Sequence, residues 1–395
     1  MSLKILQIED TCTGCGACVS ACPKQALALS YNKEGFYYPR LDETKCVDCK
    51  LCEKVCHVLS IQVPEFPSRN YNAYMIKAKN KEIVKKSSSG GVFSLLADEV
   101  LKQGGVVYGA RYSFENERLE QMSTEHCSLA ELRKSKYIES YMGDTCKDIA
   151  AQLKNGRKVL FCGTPCQVDG ISQYLKVKHV DRDNLVLVRF VCHGVPSNRF
   201  FSEYKLYEEK KHNSKMVSFD FRPKTNGWRG SDWKMEFKNG ISESGPYYYF
   251  YYYYCFQLSN LLRSSCYSCN RIYHELADFT IADFWGIQTF KPENNDQEGI
   301  SFVLTHSDKA NNLLQSIREN CELEQIPHSA IDYIYREVES KRNLILIRNE
   351  LMNRVMQIGY MNVAKKILKR KILKKQIKIY LFKKLNPLKK WLRKK

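Results

Sequence analysis

The chain has 395 residues, 44% of them hydrophobic, enough for two or three domains with their own cores. Its net charge of +19 suggests a nucleic-acid partner until the charge is located. Sixteen Lys and Arg, with no Asp or Glu, lie between Arg354 and Lys395, which leaves only +3 for residues 1–353. The basic character belongs to a tail, which argues against a fold whose whole surface tracks a phosphate backbone. Seventeen cysteines with no secretory signal read as reduced, metal-binding cytosolic thiols, and no run of eighteen apolar residues offers a membrane span.

Two cysteine runs come first in the chain, Cys12-x2-Cys15-x2-Cys18-x3-Cys22-Pro23 and Cys46-x2-Cys49-x2-Cys52-x3-Cys56. Three closely spaced thiols can turn around one cubane while the fourth reaches a second one. The spacing assigns Cys12, Cys15, Cys18 and Cys56 to cluster I and Cys46, Cys49, Cys52 and Cys22 to cluster II, so residues 12–56 form one compact unit. Structural zinc takes its ligands in pairs across a long spacer and gives no reason for the triple repeat, and disulfides need an oxidising compartment. His57 stands where the first run has Pro23 and tunes the loop rather than binding iron. The block resembles the bacterial two-cluster [4Fe-4S] ferredoxin module at all eight ligands.

Residues 63–70, with Pro64 and Pro67, read as a linker. Ala73–Ile76 is a short strand, and Ser87-Ser88-Ser89-Gly90-Gly91 precedes a helix from Val92 to Lys102 with Val92, Leu95, Leu96 and Val100 on one face. Gly104 and Gly105 close that helix, and Val106–Tyr108 begins another strand. Ile138–Tyr141 alternates, 145–154 is a helix ended by Gly156, and Lys158–Phe161 is a buried strand. Gly163-Thr164-Pro165-Cys166-Gln167 opens a helix to about Leu175, and Leu185–Val191 is a second buried strand that runs into Cys192-His193-Gly194. The alternation of strands and helices predicts an α/β sheet with sites at strand ends. The second half is more β-like: Met216–Phe221, Trp233–Phe237 before the Asn239-Gly240 turn, and Ile300–Leu304, followed by helical segments at 309–320 and 330–358. The tyrosine run 247–254 lacks interleaved Lys or Arg and suits a core or helix face better than a stacking platform.

Ser87–Gly91 offers an anion site at a helix start, or an ordinary serine cap. No GxGxxG or GxxxxGK[ST] occurs. Cys166 and Cys192 stand at the ends of successive strands, and Cys266-x2-Cys269 has ligand spacing; the four could converge on a third cluster, or Cys266 and Cys269 could be a redox dithiol. Cys127, Cys146, Cys255 and Cys321 read as ordinary buried thiols. The tail alternates Ile, Leu and Trp391 with Lys and Arg, which fits an amphipathic helix on an anionic membrane surface, or a basic tail docking on its own protein or an acidic partner.

Ser88-Ser89-Gly90-Gly91, Ser135-Lys136-Tyr137 to Ser140, Gly163–Gln167, Cys192-His193-Gly194, Cys266-x2-Cys269 and Asp283-Phe284-Trp285-Gly286 occur in that order. Together they resemble the coenzyme F420 hydrogenase/dehydrogenase beta-subunit family from about residue 71 to 305. The resemblance implies a flavoprotein holding FAD and an adjacent [4Fe-4S] cluster. It implies that Ser88, Ser89, Gly90, Gly91, Gly163, Thr164, Pro165 and Gln167 face the flavin with Lys136 and Ser140, and that Cys166, Cys192, Cys266 and Cys269 bind the third cluster. Bacterial relatives with an N-terminal ferredoxin are often linked to polysaccharide biosynthesis.

The expected organisation is a ferredoxin domain (1–62), a linker (63–70), an α/β flavin-binding domain with a mixed sheet (71–325), a helical extension (326–360) and a basic amphipathic tail (361–395). The expected function is an iron–sulfur flavoprotein oxidoreductase that couples a one-electron carrier such as ferredoxin to a two-electron hydride carrier, F420 or another substrate, in the cytoplasm or on the inner face of the membrane. The competing expectations are a non-catalytic electron carrier or adaptor docking a partner enzyme at the membrane, and a nucleic-acid-binding iron–sulfur protein.

Overall fold

In a computed structural model of the chain, the two cysteine runs adopt one backbone conformation twice. The structure describes residues 3–62 and 71–366 apart from 231, 247–250, 259, 275, 295, 333–334 and 336–341, and of the tail only 369, 373 and 377. In the first run Gly14 and Gly16 have φ of +68° and +73°; in the second, Asp48 and Lys50 occupy the equivalent places at +51° and +57°. These left-handed residues flank the middle cysteine of each triple and wrap the chain tightly around it. A short helix lies inside each run and carries its third cysteine, Ala17–Ala21 and Leu51–Lys54. Strands β1 (Leu27–Tyr31) and β2 (Tyr37–Leu41) pair antiparallel, and Leu3, Ile5, Leu27 and Cys52 form the core of this unit.

The rest of the chain is built on an eight-stranded mixed sheet. Its strands are β3 (Asn72–Ala78), β4 (Val106–Ser113), β5 (Arg118–Ser123), β6 (Val159–Gly163), β7 (Leu185–Phe190), β11 (Phe279–Asp283), β12 (Ser301–Thr305) and β13 (Cys321–Gln325), in the order β13-β3-β12-β11-β7-β6-β4-β5. The central strands β4, β6, β7 and β11 are parallel and the flanking pairs are antiparallel. Parallel strands are covered on both faces, which explains the unbroken apolar run of β6. Leu160 packs on one side with the helix Val92–Lys102, while Val159 and Phe161 pack on the other with helices Thr145–Lys154 and Pro165–Val177. A separate three-stranded antiparallel sheet comprises β8 (Met216–Asp220), β9 (Asp232–Phe237) and β10 (Ser242–Pro246). It shares an aromatic core with helix Asn198–His212 and with Tyr252 and Tyr253 of helix Tyr251–Gln257.

The predicted helix Val92–Lys102 has the predicted stripe buried, and Thr145–Lys154 is also helical as read. Ile138–Tyr141 is not a strand; its alternation places Tyr141 in a single bridge to Glu120 at the sheet edge. Helix Asn198–His212 and strands β5, β10 and β13 are not expected from the pattern. The linker 63–70 and Tyr247–Phe250 lie outside the described residues, as does all of the tail beyond Lys366 except residues 369, 373 and 377. No helix among the described residues is long and apolar enough to cross a membrane.

The ferredoxin unit is held against the sheet by specific contacts. The Gln173 amide donates to the Lys54 carbonyl (2.9 Å), the Tyr37 N–H to Glu139 Oε2 (3.0 Å) and Arg199 to the Lys33 carbonyl (3.2 Å). A Cβ at Gly170, midway along helix Pro165–Val177, would lie 2.9 Å from Cys15 Sγ, so this glycine admits the cysteine loop.

Candidate functional site: three cysteine groups and a basic cavity

None of the seventeen cysteines is in a disulfide. Burial first, and then the charges of Cys18, Cys56 and Cys12, push the Cys15 thiol well above its ordinary range; Cys18 is pushed up by burial and then by Cys12 and Cys56. Cys12, Cys15, Cys18 and Cys56 are thus electrostatic neighbours, with Cys52 also within range of Cys18. A group of crowded, desolvated thiols is unfavourable as thiolates unless a cation neutralises them, which is the condition an iron–sulfur centre meets. Cys22, Cys46, Cys49 and Cys52 surround one cavity of about 20 Å³, roofed by Leu3, Pro23 and Val47. Within that group the Ala26 N–H points at Cys22 Sγ (3.3 Å), and Cys49 is exposed.

The third group forms where the chain is far from local. Burial raises Cys192, and the charges of Cys266, Cys166 and Cys269 raise it further; Cys269 is pushed up to about 12 by burial and then by Cys266 and Cys166. The Gly194 N–H points at Cys192 Sγ (3.4 Å), and a Cβ at Gly194 (φ +92°) would lie 3.1 Å from Cys266 Cβ. That glycine brings the β7 loop and the Cys266 turn together. Cys166, in the first turn of helix Pro165–Val177, is raised by burial and shares a hydrogen bond with Thr164 Oγ1 (3.1 Å).

A cavity of about 750 Å³ opens at the carboxyl ends of the parallel strands, the usual ligand crevice of an open α/β sheet and within the size range of cofactor pockets. Its wall includes Ser88, Ser89, Gly91, Lys136, Ser140, Thr164 and Gln167 from the expected set, together with Cys162 and Cys192. Gly90, Gly163 and Pro165 do not line it. Gly90 is a packing residue: a Cβ there would lie 2.3 Å from the Ile76 carbonyl. Pro165 starts its helix beneath Thr164, whose cap is completed by Gln167.

The serine hydroxyls are engaged in fastening loops. Ser88 Oγ accepts from the Ser135 N–H (2.7 Å), and Ser89 Oγ donates to the Ile300 carbonyl (2.7 Å). Gly91 sits at the helix start with φ +94°, no side chain caps that terminus, and Gly91 and Val92 line the cavity, so an anion-attracting helix end lies at its wall. Cations reinforce it, since Arg133, Lys134, Lys136, Arg222 and Arg229 all contribute to the wall. Burial pulls the Lys136 ammonium down to about 8, and its Nζ donates to the Arg133 carbonyl (2.7 Å). Asp283 is committed to other groups, accepting from Arg222 Nη1 (3.1 Å) and Trp228 Nε1 (2.9 Å), with Trp285 stacked on Trp228.

Sequence reasoning missed Arg222, Arg229 and Gln121. Gln121 lines the cavity, its Nε2 donates to Ser140 Oγ (3.3 Å) and Gln167 Oε1 (3.4 Å), and its Oε1 is buried without a partner. The size of the cavity and the cations in its wall fit a large anionic group.

Comparison with known proteins agrees with both halves. Residues 156–330 match the family described as the C terminus of the coenzyme F420 hydrogenase/dehydrogenase beta subunit, and residues 11–59 match the 4Fe-4S dicluster domain. A ferredoxin of Pyrobaculum islandicum is 47% identical over 53 residues, 13% of this chain and 46% of that protein; the chain thus spans about half the length of that relative. The 7Fe ferredoxin of Hydrogenibacillus schlegelii is 32% identical over 81 residues, 20% of this chain and 95% of that protein. Among solved structures, the xenon-derivatised F420-reducing [NiFe] hydrogenase complex of Methanosarcina barkeri aligns with a TM-score of 0.48 and 16% identity over 72% of this chain and 93% of that one. Residues 156–330 thus belong to the C-terminal region of the coenzyme F420 hydrogenase/dehydrogenase beta-subunit family, and residues 11–59 form a 4Fe-4S dicluster domain.

Proposed function

We propose that this iron–sulfur electron-transfer protein is a flavin-dependent oxidoreductase. In this reading it passes electrons between an external one-electron carrier and a two-electron hydride carrier, F420 or another anionic substrate. The observation that carries the reading is that Cys192 belongs both to the four-thiol group Cys166, Cys192, Cys266 and Cys269 and to the wall of the basic cavity. A centre held by those thiols adjoins whatever occupies the cavity. FAD, when bound, supplies the exchange between one-electron and two-electron chemistry.

The chain's residues divide the work. Lys136, Arg222, Arg229 and the amides at the start of helix Val92–Lys102 attract the phosphates, while Gln121, Ser140 and Gln167 form a connected polar patch that orients the ring. Tyr253, Phe256 and Trp285 exclude water from the opposite wall. Cys12, Cys15, Cys18 and Cys56 hold the inner ferredoxin cluster against helix Pro165–Val177, and the set with exposed Cys49 faces an external partner such as ferredoxin. A tail lying on an anionic membrane surface would place that partner at the membrane, which liposome pelleting with and without residues 361–395 tests.

Anaerobic purification followed by iron, sulfide and flavin assay tests the reading. About twelve irons and one FAD per chain are expected, with about eight irons in Cys192→Ser, on four irons per cubane. Eight irons in the unaltered protein, or no flavin, overturns it.

A further inference from the structure

Arg263 joins two of the cysteine groups, and neither the sequence motifs nor the family match points to it. It is fully buried. Its main chain is tied to the third group: its N–H donates to the Val195 carbonyl (3.0 Å), three residues after Cys192, and its carbonyl accepts from the Cys266 N–H (3.0 Å). Its side chain points the other way, into the ferredoxin unit. Nε donates to the Cys12 carbonyl (2.7 Å), Nη2 donates to the Tyr37 carbonyl (2.8 Å), and Nη1 pairs with Glu139. The guanidinium lies over the Tyr38 ring, 4.1 Å from its centroid. Gly14 permits the approach, because a Cβ there would sit 2.8 Å from Nη1.

We infer that Arg263 is a positioning residue that fixes the gap between the inner ferredoxin cluster and the Cys166 group, and that its charge raises the reduction potential of the inner cluster. Adding one electron to a thiolate-ligated cubane adds one negative charge without breaking or forming a bond. A fixed cation in a desolvated interface favours that reduced state. Glu139 opposes it at close range, since a Cβ at Gly14 would meet Glu139 Oε1 at 2.9 Å against 2.8 Å for Arg263 Nη1, but only the guanidinium is bonded to the carbonyl of a ligand residue, Cys12. Both Cys12 and Cys266 lie within electrostatic range of the guanidinium. The direct bond to Cys12 gives the guanidinium the larger effect on the inner cluster, and Glu139 reduces it. The effect on potential rests on the ferredoxin clusters alone, so it stands or falls separately from the Cys166 group and the flavin, whereas the gap rests on the proposed third centre.

The test is an EPR-monitored redox titration of the full-length, cluster-loaded protein, with Cys49→Ser used to assign the signal of the outer cluster. Arg263→Gln is expected to lower the inner cluster's potential by about tenfold in its reduction equilibrium, which is about 59 mV for one electron. Glu139→Gln, which keeps Arg263 and removes its counter-charge, is expected to raise it by a similar factor. The outer cluster should stay unchanged in both. A purely structural role would move both variants in the same direction, and that result overturns the inference. So does an unchanged inner potential in either variant, or an equal shift of both clusters. Should one variant lose its inner cluster, the sign of the shift in the other decides.

Discussion

Gly170→Ala sets two physical effects against each other. In the interior of helix Pro165–Val177 the substitution should stabilise by about 1 kcal/mol, because alanine loses less conformational freedom than glycine. The added methyl, however, would stand 2.9 Å from Cys15 Sγ and 3.1 Å from Cys15 Cβ, with Ala17 Cβ 3.7 Å away. Forcing a methyl into a filled interface costs about 1–3 kcal/mol, and a sulfur bound to iron cannot turn aside as a free side chain would. The net expectation is a loss of up to about 2 kcal/mol, concentrated at the inner cluster. Anaerobic thermal unfolding by circular dichroism, with iron content and EPR of the same samples, should show a lower transition and an altered inner-cluster signal beside an unchanged outer one. A higher transition temperature with an unaltered inner signal would refute the placement of Cys15 against this helix.

Three other outcomes follow from the geometry. Because burial holds Lys136 near pH 8, its charge is present at pH 7 and lost as the pH rises; if the charged form alone holds an anionic cofactor, affinity falls about tenfold per pH unit above 8. Flavin release followed by fluorescence between pH 7 and 10 should show that slope, and Lys136→Met should be flat. Asp283→Asn leaves buried Arg222 without its charge partner, which should cost about 3 kcal/mol in denaturant unfolding. Gly16→Ala forces an alanine to φ +73° with its Cβ 2.9 Å from Met142 Cβ, whereas Lys50 already holds the equivalent left-handed place; cluster loss on heating should accelerate in Gly16→Ala and barely change in Lys50→Ala.

The eight ferredoxin thiols were legible because their ligand geometry is encoded in spacings of two and three residues. The β6 and β7 strands were legible for a similar reason: strands covered on both faces leave unbroken apolar runs. Helix Asn198–His212 was not, since its buried apolar residues Phe200, Phe201 and Tyr204 crowd its first half while Lys205, Glu208 and Glu209 are buried by ion pairing. Strand β13 reads as polar because it closes an edge of the sheet beside β3. In the cavity the glycine and serine motif lies on a lining loop, yet the hydroxyls of Ser88 and Ser89 hold neighbouring segments. Gln121 and Arg222 carried no local signal. Gln121 owes its place to β5 pairing with β4 beside Gln167, and Arg222 owes its place to contacts with Asp283 and the Ser88 carbonyl, far along the chain.

The helix Ile345–Ile358 and the residues after it fasten to the turn between β1 and β2. Arg348 pairs with Glu34 and donates to the Leu262 carbonyl (3.1 Å), and Tyr360 Oη donates to the Glu34 carbonyl (2.6 Å). In chain order the cysteine runs precede Glu139, Arg263 and Arg348, so during synthesis the residues that fasten the ferredoxin unit emerge long after its cysteines. Until Arg348 and Tyr360 arrive, the turn at Glu34 has neither of these partners, and a chain cut short before residue 345 would lack both.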